Sequence, residues 1–390
     1  MADYLAEAKE LEEKLVAWRR DFHMHPELAY EEHRTAEIVA EHLKGLGYHV
    51  KTGVGQTGVV GLLEGAEAGP VVMLRFDMDA LPVTEETGAE YASQIEGKMH
   101  ACGHDAHVAM GMGLAEMLVA HQAEMKGVAK LIFQPAEEGG NGAEKMIQDG
   151  VLENPRPDVF LSAHVWSEKE FGSVHVTPGP VMAAVDKFLC TIRGQGGHGA
   201  IPHLAVDPIV AAAQVITALQ TVVSRNVDPL DTAVVSVGSI QGGSAFNIIP
   251  PQVELSGTIR SYIPESRETV LRRVREIVEG VAAACGAQAE LELIALTPSL
   301  INHPETTEIV RLAAEAIAGA ENISSGERTM GGEDAAFFTE QIPGCYFFVG
   351  AANAAKGIDV SHHNPRFDID ERVMALGVAI LAQAAAHYLF

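Results

Sequence analysis

An α/β protein whose mostly parallel sheet is interrupted by a smaller βαββαβ insert is the architecture the sequence predicts, and three observations predict it. In the first half, short apolar runs bounded by Gly and Pro alternate with stretches of helical periodicity. Between about residues 184 and 295 the order becomes strand, helix, strand, strand, helix, strand, and beyond it the first style resumes. A chain of 390 residues is also too long for one ordinary core, at roughly 100 to 200 residues per domain.

Taken in order, Leu5, Ala8, Leu11, Leu15, Trp18 and Phe22 recur at three and four, the stripe of an amphipathic helix. This acidic start lacks the basic segment of a signal peptide. Ala36, Ile38, Val39 and Leu43 make a second stripe that stops at Gly45 and Gly47. The runs 58–64 and 71–77 read as buried strands. Gly53-x-Gly55-x-x-Gly58 has dinucleotide-fingerprint spacing but leads into a strand, so it reads as a hairpin turn. Gly194-x-Gly196-x-x-Gly199 meets Pro202 and starts no helix, which disfavours phosphate binding there as well. Residues 105–121 read as helix, and 128–134 and 158–165 as strands. In the insert, strands are expected at 184–193, 232–241, 252–263 and 288–297, with helices at 206–225 and 266–284, which is the ferredoxin-like plan. Helix 304–319, strand 345–350 and helix 371–388 close the chain. Residues 1–183 and 296–390 therefore form one domain, and 184–295 the insert.

Composition excludes several function classes. Acidic residues outnumber basic ones by 53 to 27, a formal net charge of −26 spread along the chain; nucleic acid and anionic membrane are poor partners because there is no basic footprint. No apolar run approaches the roughly 18 to 20 residues that span a bilayer. Cys102, Cys190, Cys285 and Cys345 are too few and too scattered for a disulfide scaffold, so a reducing cytoplasm is the expected compartment.

The densest cluster of metal-binding side chains is His100-Ala-Cys102-Gly-His104-Asp-Ala-His107, at the start of a helix. A thiol and an imidazole side by side point to zinc, cobalt, nickel or manganese, although a buried inert Cys beside a helix cap has the same appearance. Other strand ends add donors: Glu137 and Glu138 after strand 128–134, His164 at the end of strand 158–165, and His362-His363 in a turn before the last helix. Four strand ends carrying such groups are more than coincidence. Adjacent Glu137 and Glu138 point opposite ways on an extended segment, so one suits a metal and the other a general base. Asp77 and Asp79 share one strand face and suit either the orientation of a ligating His or a strand-end polar cap.

Asp77-Met78-Asp79-Ala80-Leu81-Pro82, His100-Ala101-Cys102-Gly103-His104-Asp105, Gln134-Pro135-Ala136-Glu137-Glu138, Gly196-Gly197-His198 and Met330-Gly331-Gly332-Glu333-Asp334 resemble, in order, motifs of the metal-dependent amidohydrolases related to aminoacylase and carboxypeptidase G. The Cys-Gly-His form is similar to the branch of hippurate hydrolases, auxin-conjugate hydrolases and N-acetyldiaminopimelate deacetylases. The resemblance implies a di-metal exopeptidase-like catalytic domain with an inserted lid and dimerisation domain. It implies two divalent transition-metal ions: Cys102 bridging, His104 and His164 completing one site, Glu138 and His363 the other. His362 is the rival of His363; the small polar residue and Pro that follow select His363. Glu137 would be the general base, with Asp79 among the catalytic residues. His198, otherwise a surface residue in a glycine turn, would reach a partner subunit's site and polarise the scissile carbonyl.

The chemistry implied is hydrolysis of N-acyl amino acids in a homodimer: a metal hydroxide formed with Glu137 attacks the amide, His198 and metal stabilise the oxyanion, and Glu137 protonates the leaving amine. Arg260 with Asn247 is expected to hold the substrate carboxylate, with Gly331 and Gly332 beside it. A dipeptidase or carboxypeptidase uses the same machinery on an aminoacyl group and is the nearest rival. A catalytically silent metal-binding protein is the rival of a different class, and it would have no use for Glu137 as a base.

Overall fold

The computed structural model describes residues 2–390, which divide into two compact units, one of residues 2–179, 301–328 and 334–390 and the other of 180–300 with 329–333. The first is built on an eight-stranded sheet in the order His49–Val54, Gly58–Glu64, Lys126–Gln134, Glu67–Asp77, Val159–Glu170, Gly344–Ala352, Val174–His175 and Ile323–Ser324. The four central strands run parallel. Their apolar runs, rich in Val, Leu and Phe, are buried on both faces, as parallel strands must be. Antiparallel pairing enters on either side. His49–Val54 and Gly58–Glu64 form the hairpin expected at the glycine-spaced turn, and Val174–His175 runs against Gly344–Ala352.

Parallel strands aligned in this way bring their carboxyl ends to one edge of the sheet. Asp77 and Gln134 end neighbouring strands in register there, and loops 78–82 and 135–141 continue from them. The helix His104–Ala120 starts above the same edge and then runs buried along almost its whole length. Only glycine fits at Gly111, since a Cβ there would lie 2.6 Å from the Phe76 ring and 2.7 Å from that of Phe133. Expected as one stripe, the N-terminal helix breaks at Leu11 into Tyr4–Glu10 and Glu12–Met24.

The second unit has the four-stranded antiparallel sheet Ala233–Gln241, Gln252–Ser261, Ala184–Arg193, Gln288–Thr297. Alternate residues Phe188, Cys190 and Ile192, with Val253, Leu255 and Ile259, form a core with Val215 and Leu219 of helix Pro208–Asn226 and Val274 and Val278 of helix Pro264–Ala284. Asp207 caps the first of these helices, accepting from the Ile209 and Val210 amides, and Pro208 occupies its first turn. The strand and helix order is that read from the sequence. The limits differ from 184–295: the unit starts at Pro180, ends at Leu300 and regains Thr329–Glu333. The reason is a local pairing, a parallel bridge between Met182 and Thr329 and a hydrogen bond from the Ala183 amide to the Gly331 carbonyl.

Arg19 ties both ends of the chain to the first turn of the His104 helix. Fully buried, it donates to Asp105 at 3.0 Å, Asp368 at 2.7 Å and Glu371 at 3.2 Å. His23 adds a second contact to Asp105 at 2.8 Å, and although burial alone would lower its pKa, hydrogen bonds to Asp105 and Glu85 raise it to about 9. Replacing Arg19 by Met leaves the Asp105 carboxylate without its guanidinium, so Arg19→Met is expected to lose about 3–5 kcal/mol. Urea unfolding checks this; a loss below about 1 kcal/mol, the scale of an exposed pair, would show that Arg19 does not hold the chain ends.

Candidate metal centre

At Gly103 the chain turns between loop and helix with φ +88°, and a Cβ there would lie 2.4 Å from Val165 Cγ2. This left-handed step, which only glycine adopts readily, sets Cys102 and His104 on either side of it. The His104 ring is held from behind. Its Nδ1 lies 2.9 Å from the Asp79 carbonyl oxygen and 3.2 Å from Asp79 Oδ1, and an oxygen of either kind can only accept, so Nδ1 carries the proton. The Nε2 atom is buried and makes no hydrogen bond. Asp79 Oδ2 also accepts from the Glu138 amide at 2.9 Å, so one carboxylate orients His104 and fixes the loop bearing the two glutamates. Asp79 thus stands behind a donor, in the position of an orienting group.

His164 lies inside the strand Val159–Glu170, and its Nδ1 is 2.6 Å from the Val165 carbonyl, to which it donates. Its Nε2 then faces Cys102 Sγ at 3.6 Å. His363 has φ +63°, anchors its amide on the Ala101 carbonyl at 2.8 Å, and turns Nε2 to Glu138 Oε1 at 3.1 Å. His362 is committed elsewhere: its Nε2 meets the Val165 carbonyl at 3.1 Å, its Nδ1 meets Ser167 Oγ at 3.3 Å, and its ring packs between Trp166 and Phe367.

Two groups of donors result, Cys102 with His104 and His164, and Cys102 with Glu138 and His363, the donor atoms of each lying within 4.8 Å of one another. Cys102 belongs to both. Glu137 falls in a third group of the same kind with His104 and Glu138. Thiol, imidazole and carboxylate together make a donor set suited to zinc and its first-row neighbours, and the buried His104 Nε2 without a hydrogen bond is an atom that a cation would satisfy.

Electrostatics points the same way. Burial, and then the neighbouring Glu138, Glu137 and Asp77, push the Cys102 thiol well above its ordinary pKa. Burial would lower His104, yet Asp77, Asp79 and Glu138 outweigh it and raise the ring to about 10. The metal-free pocket therefore holds protons where a cation would place positive charge.

Arg75, Gln134 and Asp334 brace the glutamate loop from below. Arg75 Nε donates to Gln134 Oε1 at 2.8 Å, Gln134 Nε2 donates to Asp334 Oδ1 at 2.6 Å, and Asp334 Oδ2 accepts from the Ala143 amide at 2.9 Å. No local pattern gives these residues a role; a lone Arg within an apolar strand is the one signal they leave in the sequence. The residues expected from the insert form two neighbourhoods within their own unit. Exposed His198 pairs in register with Ile248, and Gly199 donates its amide to the Asn247 carbonyl at 2.8 Å. Arg260 stands opposite Val185, the residue on which Gly332 packs so closely that a Cβ would come within 2.3 Å of Val185 Cγ2, and Gly331 receives the Ala183 amide.

With this geometry in place, likeness to known proteins can be stated. The model of peptidase family M20/M25/M40 matches residues 73–387. The chain is 41% identical over 379 residues to the N-acetyl-L-cysteine deacetylase of Bacillus subtilis, covering 97% of this chain and 89% of that one. It is 38% identical over 389 residues to the IAA-amino acid hydrolase ILR1-like 4 of Arabidopsis thaliana, covering 99% of this chain and 88% of that one. Among solved structures, the YXEP protein of Bacillus subtilis, described as a dinuclear metal-binding peptidase of the M20 family, superposes with a TM-score of 0.85 at 34% identity, over 97% of this chain and 98% of that one.

Metal loading should depend on pH in a definite direction. His104 and Cys102 both keep their protons at neutral pH in the metal-free chain, so each must give one up to an entering cation, and apparent affinity should rise with pH by about tenfold per unit for each proton displaced. Titrating the metal-free protein with manganese or zinc between pH 6 and 8, with proton release read in parallel, tests this. Affinity that is flat with pH, with no proton released, would contradict it.

Proposed function

The chain belongs to peptidase family M20/M25/M40, and on that premise we propose that it hydrolyses the amide bond of N-acyl amino acids with two divalent transition-metal ions. The observation that carries the reading is the sharing of Cys102 between two donor groups, with Glu137 beside them in a third. Cys102, His104 and His164 would hold one ion and Cys102, Glu138 and His363 the other. Bound there, the ions supply Lewis acidity to the amide carbonyl and lower the pKa of water.

The chain's own residues do the rest. Glu137, next to a ligand and itself needed for neither ion, accepts a proton from the attacking water. As the tetrahedral centre collapses and the C–N bond breaks, Glu137 returns that proton to the leaving nitrogen, so the amine departs neutral. The products are a carboxylic acid and a free amino acid. Asp79 keeps His104 in its Nδ1–H tautomer throughout. Arg260 is suited to the substrate carboxylate through the guanidinium fork, with the backbone at Gly331 and Gly332 beside it, while Asn247, which stands with His198, would join it only together with that residue.

His198 is assigned to the carbonyl oxygen, delivered from a second copy of the chain. Support for a homodimer comes from exposed apolar side chains in the segments near it, Phe246 fully exposed, Leu204 63% exposed and Ile248, its partner in register, 56% exposed. A cytoplasmic location suits four cysteines that are all free. No helix among the described residues is long and apolar enough to cross a membrane.

Amine release from a panel of N-acyl amino acids and dipeptides, with manganese, zinc, cobalt or nickel, tests the reading beside Glu137→Gln. The wild type should release amino acids from N-acyl substrates. The variant should be about 10²- to 10⁴-fold slower with its metal content unchanged. Cleavage of dipeptides alone would make this chain an exopeptidase, and bound metal without turnover on any substrate would make it a binding protein.

A further inference from the structure

Behind the donor atoms lies a buried His that the mechanism does not use. His107, one turn beyond His104, is 1% exposed, as fully enclosed as Asp77 beside it. Its Nδ1 is 2.5 Å from Asp77 Oδ1, and its Nε2 lies 3.0 Å from the amide nitrogen of Val165. An amide can only donate, so Nε2 is the unprotonated nitrogen, and Nδ1 carries the proton and gives it to Asp77. Arg75 Nη1, 2.7 Å from Asp77 Oδ2, balances that carboxylate.

The Val165 amide needs such an acceptor for a topological reason. The strand Val159–Glu170 pairs with Glu67–Asp77 only from Val159 to Ser162. Past Ser162 the neighbour is gone on that side, while pairing with Gly344–Ala352 continues on the other. A buried N–H left unpaired costs about 1–3 kcal/mol, and the His107 ring fills the place of the missing strand. The same residue receives His164 Nδ1 on its carbonyl, at 2.6 Å. One residue, Val165, is therefore gripped at its N–H by His107 and grips His164 at its C=O.

Asp77, His104 and His107 also lie close enough together to pass as a third place for an ion. Both ring nitrogens of His107 are already engaged, which leaves no lone pair for one.

We propose that His107 is a positioning residue for the metal centre: as the Nδ1–H tautomer, braced by Asp77, it replaces the absent strand neighbour at Val165 and so fixes His164 with Nε2 turned to Cys102. This rests on the reading that Cys102, His104 and His164 hold an ion. The line Arg75, Asp77, His107, Val165, His164 is continuous in hydrogen bonds and ion pairs, and it acts on the ligand through the backbone.

Two measurements on the full-length protein test it. Long-range ¹H–¹⁵N correlation on metal-free, ¹⁵N-histidine-labelled protein should show both His107 and His164 as neutral Nδ1–H tautomers, the His107 signals being those missing from His107→Gln; an Nε2–H or doubly protonated His107 overturns the assignment. Equilibrium dialysis with cobalt then compares His107→Phe, which keeps the bulk and loses both hydrogen bonds, with His107→Gln, which keeps an acceptor for Val165. We expect His107→Phe to lose about 10- to 100-fold in affinity for one of two ions, with a weakened thiolate-to-cobalt absorption, and His107→Gln to recover part of the loss. Wild type binding two ions with His107→Phe binding both as tightly overturns the role of His107 alone; wild type binding none overturns the metal reading and this one with it.

Discussion

A half-buried thiol ringed by carboxylates is the constraint from which most of the first unit follows. Cys102 is flanked by Glu137, Glu138 and Asp77, and each of these raises the cost of its thiolate. Desolvated negative charge of this density is costly unless a cation enters. Without one, the pocket keeps protons on Cys102 and His104. What the chain supplies is rigidity behind the donors, so that the charge is concentrated and fixed in direction. Asp79 holds His104 and the Glu138 amide together, the Val165 carbonyl holds His164, and the Ala101 carbonyl holds the amide of His363. Each of these groups is thereby held by a neighbour, Val165 within the sheet and Asp79 and Ala101 in the loops that leave strand Glu67–Asp77 and lead into the His104 helix.

The guanidiniums of Arg19 and Arg75, both buried, lie one layer further out. Arg75 neutralises Asp77 and reaches Gln134 and Asp334, which brace the loop of the two glutamates. Arg19 neutralises Asp105 at the first turn of the helix that follows Cys102. Each of the two buried guanidiniums is satisfied by carboxylates, Arg19 by Asp105, Asp368 and Glu371 and Arg75 by Asp77 and Asp334. Parallel topology makes the layering possible, because it gathers the ends of strands Glu67–Asp77 and Lys126–Gln134 at one edge while their apolar bodies stay buried.

Much of this was legible in the sequence where residue type alone carries the chemistry. The alternation of apolar runs and helical stripes gave the strand and helix order, because burial on both faces or on one stripe leaves a direct periodicity. Cys102, His104, Glu137, Glu138 and His164 stood out as donors at strand ends, where an α/β sheet places its sites. The choice between His362 and His363 was not readable from donor type: the two differ in the structure by a left-handed φ at His363 and by the packing of His362 against Trp166 and Phe367. The parts played by His107, Arg75 and Asp334 were unreadable for a related reason. Their roles depend on which backbone groups the fold leaves unpaired, a property of tertiary pairing and not of local pattern. The two-residue strands Val174–His175 and Ile323–Ser324 are too short to leave a period, and the return of Thr329–Glu333 to the second unit rests on one bridge and a few backbone hydrogen bonds.

The most direct test of the account is an anomalous difference map from crystals of the protein loaded with manganese or zinc, collected above the metal edge. The account predicts two peaks per chain that share Cys102 Sγ, one within reach of His104 and His164 and the other within reach of Glu138 and His363, with His107 contacting neither. A single peak, or a peak between Asp77, His104 and His107, would contradict it.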